Sequence, residues 1–72
     1  MTDTFGNELN VNDEVITFDI SINGTVLKTG KVVKIEKHTD GYHWAEIMFE
    51  FSIGTEKFHS YVWRKSDGIM IL

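Results

Sequence analysis

The stretch Glu14-Val15-Ile16-Thr17-Phe18-Asp19-Ile20-Ser21-Ile22-Asn23-Gly24-Thr25-Val26-Leu27 decides the fold. Ile16, Phe18, Ile20 and Ile22 fall on one face of an extended chain, and Thr17, Asp19 and Ser21 on the other. A period of two over this length is the signature of a strand, and the β-branched and aromatic residues in it suit a pleated surface. Asn23-Gly24 between this run and Thr25-Val26-Leu27 predicts a tight hairpin, because a type I′ turn needs positive φ at both central residues. Asn23-Gly24-Thr25 also spells a glycosylation acceptor, a reading that has weight only behind a secretory signal.

Working outward, the returning strand meets Thr29-Gly30, a predicted kink or bulge, and continues through Lys31-Val32-Val33-Lys34-Ile35-Glu36-Lys37. Thr39-Asp40-Gly41 reads as a turn. Tyr42 to Phe51 is a third strand, with Ala45, Ile47, Phe49 and Phe51 on one face and Trp44, Glu46, Met48 and Glu50 on the other. Ser52-Ile53-Gly54-Thr55 turns the chain into a fourth strand from Glu56 to Trp63, whose buried face the pattern leaves open. Arg64-Lys65-Ser66-Asp67-Gly68 reads as a tight or single 3₁₀ turn, and Ile69-Met70-Ile71-Leu72 as a short last strand. The expectation is an all-β chain: a five-stranded antiparallel meander over residues 9–72, preceded by an N-terminal arm over residues 1–8.

The 72 residues hold one domain. A domain of this size hides only about 60% of its unfolded surface, and such cores often need a disulfide, a metal or oligomerisation. With no Cys, disulfides and thiolate metal sites are excluded. Five Phe, two Tyr and two Trp supply the packing instead. With no Pro to block a sheet edge, an open sheet risks edge pairing, and closure into a barrel is the expected remedy. The polar, acidic start Met1-Thr2-Asp3-Thr4-Phe5-Gly6-Asn7-Glu8 lacks the pattern of a signal peptide. A cytoplasmic setting, without membrane contact, is the expectation.

The order of elements resembles the SH3-like small barrel over most of residues 9–72. Val11-Asn12-Asp13-Glu14-Val15 is similar to the opening segment V-x-x-G-D-x-V, with the usual Gly replaced and the spacing one shorter. Gly30-Lys31-Val32-Val33-Lys34-Ile35 resembles the G-x-V-x-x-I element of KOW-type barrels. The resemblance puts the Asn23-Gly24 hairpin in place of the long first loop, Gly54 in the distal turn and residues 64–68 at the 3₁₀ turn. It implies a fold shared by proline-peptide binders, methyl-lysine readers and nucleic-acid binders, so it does not choose a function. In style the chain also resembles small accessory proteins of bacteriophages, for which the setting would be the host cytoplasm.

Catalytic and metal chemistry find little support. Glu46 and Glu50 lie roughly 13 Å apart along one strand face, too far for a shared acid–base site. His38 and His43 flank the Asp40-Gly41 turn and His59 follows on the next strand, without a metal-ligand spacing. The chain is therefore expected to be non-enzymatic and to need no cofactor or metal.

The best lead is aromatic. Tyr42, Trp44, His59, Tyr61, Trp63 and Arg64 concentrate on the third and fourth strands, with the residue types that dominate interface centres. With Phe49, Phe51 and Phe58 filling the core, some of these rings face outward. They predict a binding module for a protein partner, and the resemblance to small bacteriophage accessory proteins implies one that modulates host nucleic-acid or transcription machinery. The net charge of −4 disfavours general nucleic-acid binding. Residues 1–27 are acidic throughout, yet Lys28, Lys31, Lys34 and Lys37, with Arg64 and Lys65, could serve direct nucleic-acid contact. A third reading is a structural homo-oligomer that pairs through Ile69-Met70-Ile71-Leu72.

Overall fold

A computed structural model describes residues 1–22 and 24–72. The elements in chain order are β1 (Glu14–Ser21), β2 (Gly24–Lys37), β3 (His43–Ile53), β4 (Glu56–Arg64), a 3₁₀ turn (Ser66–Gly68) and β5 (Ile69–Ile71). All pairings are antiparallel, and the strands form one open sheet in the order β4-β3-β2-β1-β5. This is the predicted all-β meander, with its 3₁₀ turn in place. The predicted Asn23-Gly24 tip falls partly outside the described residues. The register nevertheless pairs Ser21 with Gly24, so Gly24, at φ +111°, is the first residue of β2.

β2 serves two partners. Its first half, Gly24–Lys31, pairs with β1, and its second half, from Lys31 to Lys37, pairs with β3. The bend between them has two causes. The register with β3 slips between Val32 and Lys34, as at a bulge. Gly30 lets the strands cross closely: a Cβ there would lie 2.6 Å from Ile47 Cγ2 and 2.9 Å from the Met48 carbonyl oxygen. The sheet thus folds over itself and encloses a core of Leu9, Val15, Val32, Ala45, Ile47, Phe49 and Ile69.

Closure is made by side chains, since no ladder joins β4 to β5 among the described residues. Arg64 Nη2 donates to the Phe18 carbonyl oxygen at 2.9 Å and Nε at 3.3 Å. The Thr17 hydroxyl donates to the Gly68 carbonyl oxygen. Beyond the β5 pairing, Asp19 Oδ1 accepts the Ile20 N–H at 3.0 Å. Arg64 and Asp19 together occupy outward-pointing groups of the β1 edge, the protection that a Pro would otherwise give.

Three placements sharpen or correct the sequence reading. The buried face of β1 is that of Val15 and Thr17, opposite Ile16, Phe18 and Ile20. On β4 the inward set is Phe58, Ser60 and Val62, which pair with Phe51, Phe49 and Ile47. Phe51 and Phe58 do not fill the core; they stack on each other at 5.6 Å where β3 and β4 run past β2, and both remain exposed.

Residues 1–8 lie against β5. Thr2 bridges to Glu8, and the Thr4 N–H donates to the Ile69 carbonyl oxygen at 2.8 Å. Asp3, 2% exposed, accepts the backbone N–H groups of Phe5 (3.0 Å), Asn7 (2.8 Å) and Ile71 (3.0 Å). Burial pushes its carboxyl up, but the donors from Ile71, Asn7 and Phe5 outweigh that and hold it below the ordinary aspartate value. No helix of the described residues is long and apolar enough to cross a membrane.

Candidate functional site

The Asp40-Gly41 turn sets the first side chains of the site. Gly41 takes φ +86°, and the His38 N–H donates to the Tyr42 carbonyl oxygen at 2.9 Å. Asp40 Oδ1 accepts the Tyr42 N–H at 2.9 Å, while Oδ2 accepts the Trp44 indole N–H at 3.0 Å. One carboxylate therefore fixes both the turn and the direction of an indole. The Tyr42 backbone bond lowers the Asp40 carboxyl below its usual range, helped by Trp44, Lys65 and His38 against the cost of desolvation.

A continuous set of rings grows from this point. The His38 ring stacks on Trp44 at 5.4 Å and meets Trp63 edge-on at 4.8 Å. The Lys65 ammonium lies 4.9 Å from the Tyr42 ring and 5.5 Å from the Trp44 ring, within reach of a cation–π attraction. Trp44 and Trp63 are half-buried, whereas Tyr42 is 60% exposed.

From Trp63 the alternation of β4 carries the surface onward through Tyr61, 55% exposed, and His59, also exposed. The register sets Glu46 opposite Trp63, Met48 opposite Tyr61 and Glu50 opposite His59. On the β2 side Glu46 faces Lys34 and Met48 faces Lys31. The outer face of β3 and β4 thus has Met48 and Tyr61 at its centre, the ring cluster at one end and charges around it. The His59 imidazole lies 3.6 Å from Glu50, which also meets Lys57 at 3.5 Å.

Five of the six predicted partner-binding residues, Tyr42, Trp44, His59, Tyr61 and Trp63, share this region. Arg64 does not. It pairs with Ala45 on the opposite face of β4 and is spent on the Phe18 carbonyl and ring. Sequence reasoning placed His38 and Asp40 at the turn and Met48 on the face of Trp44, but did not join them to the ring cluster. The aspartate before a turn glycine, four residues ahead of a Trp, is the signal that could have found Asp40.

The basic residues of the nucleic-acid reading are dispersed. Lys28 pairs with Asp19 at 3.0 Å, and Lys34 with Glu36 at 3.0 Å. Lys31 and Lys34 stand on the outer face with Met48 and Glu46, while Lys37 pairs with His43 on the other side of the sheet. Lys65 lies over Tyr42 and Trp44, and Arg64 faces Phe18. The three histidines do not converge either: His38 packs between the indoles and His59 sits beside Glu50.

A small all-β domain with a charged-rimmed aromatic face is what the geometry defines. A family described as a domain of unknown function, DUF7205, matches residues 1–72, and the chain belongs to that family. No curated protein and no solved structure matches it.

Proposed function

We propose that the chain is a non-enzymatic binding module that engages a protein partner through the outer face of β3 and β4. The observation that carries this reading is Tyr61 lying exposed opposite Met48, beside rings already held in place by Asp40, His38 and Lys65. An aromatic and Met centre with a charged rim has the composition of an interface centre. Rings fixed before contact lose little conformational freedom on binding, which favours affinity. The long first hairpin and the 3₁₀ turn before a short last strand support an SH3-like reading of the fold. The net charge of −4 favours a partner with a basic surface, such as components of nucleic-acid or transcription machinery present, and a phage-type modulator role fits that choice.

The test is capture by the tagged chain from the cells that encode it, repeated with Tyr61→Ala and Tyr42→Ala. Both side chains are exposed, so the fold is retained. Loss of the same protein with either variant supports the proposal, and undiminished capture by both moves the site off this face. Oligonucleotide added at low salt supplies the competing outcome: tryptophan quenching that falls steeply with salt would favour direct nucleic-acid binding.

A further inference from the structure

The sheet treats its open strand edges differently. On β1 the Arg64 guanidinium covers the Phe18 carbonyl and the Asp19 carboxylate covers the Ile20 N–H. On β4 the direction of the main chain follows from the turn before it. Gly54 takes φ +63° at the first central position of a two-residue turn, as a type II′ hairpin requires. Such a turn closes through the hydrogen bond between its flanking residues, here Ile53 and Glu56, so the Glu56 main chain faces β3. Successive residues of a strand alternate in this respect. Phe58, Ser60, Val62 and Arg64 therefore bond to β3, and Lys57, His59, Tyr61 and Trp63 point away from it. The Trp63 carbonyl agrees, since the guanidinium that holds Phe18 on β1 also reaches it, at 2.8 Å. No hydrogen bond among the described residues reaches the N–H and C=O groups of Lys57, His59 or Tyr61.

These groups select their occupant. They come as donor–acceptor pairs on every second residue, roughly 7 Å apart, and main chain in extended form has the same repeat. A strand added to an edge takes its affinity from such bonds and its specificity from alternate side chains. Phe58, 38% exposed, flanks the edge on the inner side, and Tyr61 flanks it on the outer side. The Lys57 side chain is 72% exposed, and its Glu50 partner at 3.5 Å is shared with His59. A carboxylate directly opposite Lys57 is thus a favourable cross-strand neighbour. A second copy of β4 does not supply it. In an antiparallel self-pairing through these groups, Lys57 stands opposite Lys57, His59, Tyr61 or Trp63, none of them acidic.

We infer that the β4 edge takes up an extended segment of another protein as an added antiparallel strand, bonded to the main chain of Lys57, His59 and Tyr61, with an apolar side chain against Phe58 and a carboxylate opposite Lys57. Antiparallel pairing continues the pattern of the whole sheet and is the more stable kind. The Arg64 clasp on Trp63 ends the free edge, so the added strand is about five residues long. This deepens the reading of β3 and β4 as the contact region and rests on it, but the bonds are made by main chain rather than by the Tyr61 ring.

The probe is the blocked peptide acetyl-Thr-Val-Thr-Val-Glu-amide, whose fourth and fifth residues fall opposite Phe58 and Lys57. Titrated into the labelled chain and followed by amide NMR, it should bind with a Kd of ~1 mM or tighter and shift and protect the amides of Lys57, His59 and Tyr61. The same peptide N-methylated at its central Thr should bind at least about tenfold more weakly, and one ending in Lys at least about twofold more weakly. His59→Pro, which removes an outward N–H that the fold does not use, should also abolish binding, with circular dichroism checking the fold. No shift at β4 with ~5 mM peptide, several times that Kd, overturns the proposal. So does equal binding of the N-methylated peptide. Shifts of the same amides on concentrating the chain alone, which the peptide does not reverse, give the edge to a second copy and overturn it too. Peptide binding that persists while Tyr61→Ala and Tyr42→Ala leave partner capture undiminished removes the outer-face reading alone; capture lost in those variants without peptide binding removes the edge alone.

Discussion

Arg64 at the end of β4 grips Phe18 on β1: two guanidinium nitrogens donate to the Phe18 carbonyl oxygen, and the guanidinium carbon lies 4.3 Å from the centre of its ring. A third donor, Nη1, reaches the Trp63 carbonyl oxygen at 2.8 Å. These bonds tie together two parts of the sheet that no ladder joins among the described residues. Arg64→Ala strips the Phe18 carbonyl of a charged donor and should cost about 1–3 kcal/mol. Arg64→Lys should recover only part of it, because an ammonium lacks the planar fork. Urea denaturation measures both, and a loss within the ~0.5 kcal/mol of an ordinary surface change would mean the clasp is incidental.

Gly30 is the second structural test. A methyl group there meets Ile47 Cγ2 at 2.6 Å and backbone oxygen at 2.9 Å, and the oxygen cannot rotate aside. Gly30→Ala should therefore destabilise by about 1–3 kcal/mol, the usual range for overpacking, although alanine is ordinarily the easier residue to order. An alanine variant as stable as wild type would show that the crossing of β2 over β3 is looser than described.

Acid should loosen the N-terminal segment first. The folded Asp3 carboxyl is held below its ordinary value of 3.8, so its contribution is complete above that pH and disappears as pH falls through the lower folded value. Asp19, lowered chiefly by its Lys28 bond, and Asp40 act in the same direction. Thermal melts from pH 7 downward should show stability falling on acidification. Asp3→Asn should be less stable at pH 7 and should show a shallower acid dependence. An unchanged slope in the variant would remove Asp3 from the account.

How far the sequence could be read follows from how local each cause is. Strand positions and turns depend on neighbouring residues: the period of two places the strands, and Gly41 and Gly54 adopt the positive φ their turns require. Asn12 takes φ +80° just before β1, a conformation Asn tolerates better than most residues. The buried side of β1 was not legible, because Thr17 is satisfied by a carbonyl 51 residues away. Arg64 looks like a neighbour of the aromatic face for a similar reason, since its acceptor is 46 residues distant. The aromatic positions on β3 and β4 were legible as a group. The His38 ring that joins the two indoles was not, because it depends on how the end of β2 and the following turn meet both strands.

Trp63 is a poor probe of binding, since its ring packs on His38 and its loss would disturb the cluster as well as the surface. Tyr61 is the better one. The most direct measurement is the affinity of the captured partner, by titration calorimetry, for wild type, Tyr61→Ala and Ile22→Lys. The account predicts a loss of at least about tenfold, some 1.4 kcal/mol, for Tyr61→Ala, and unchanged affinity for Ile22→Lys. Equal affinity for wild type and Tyr61→Ala would contradict it.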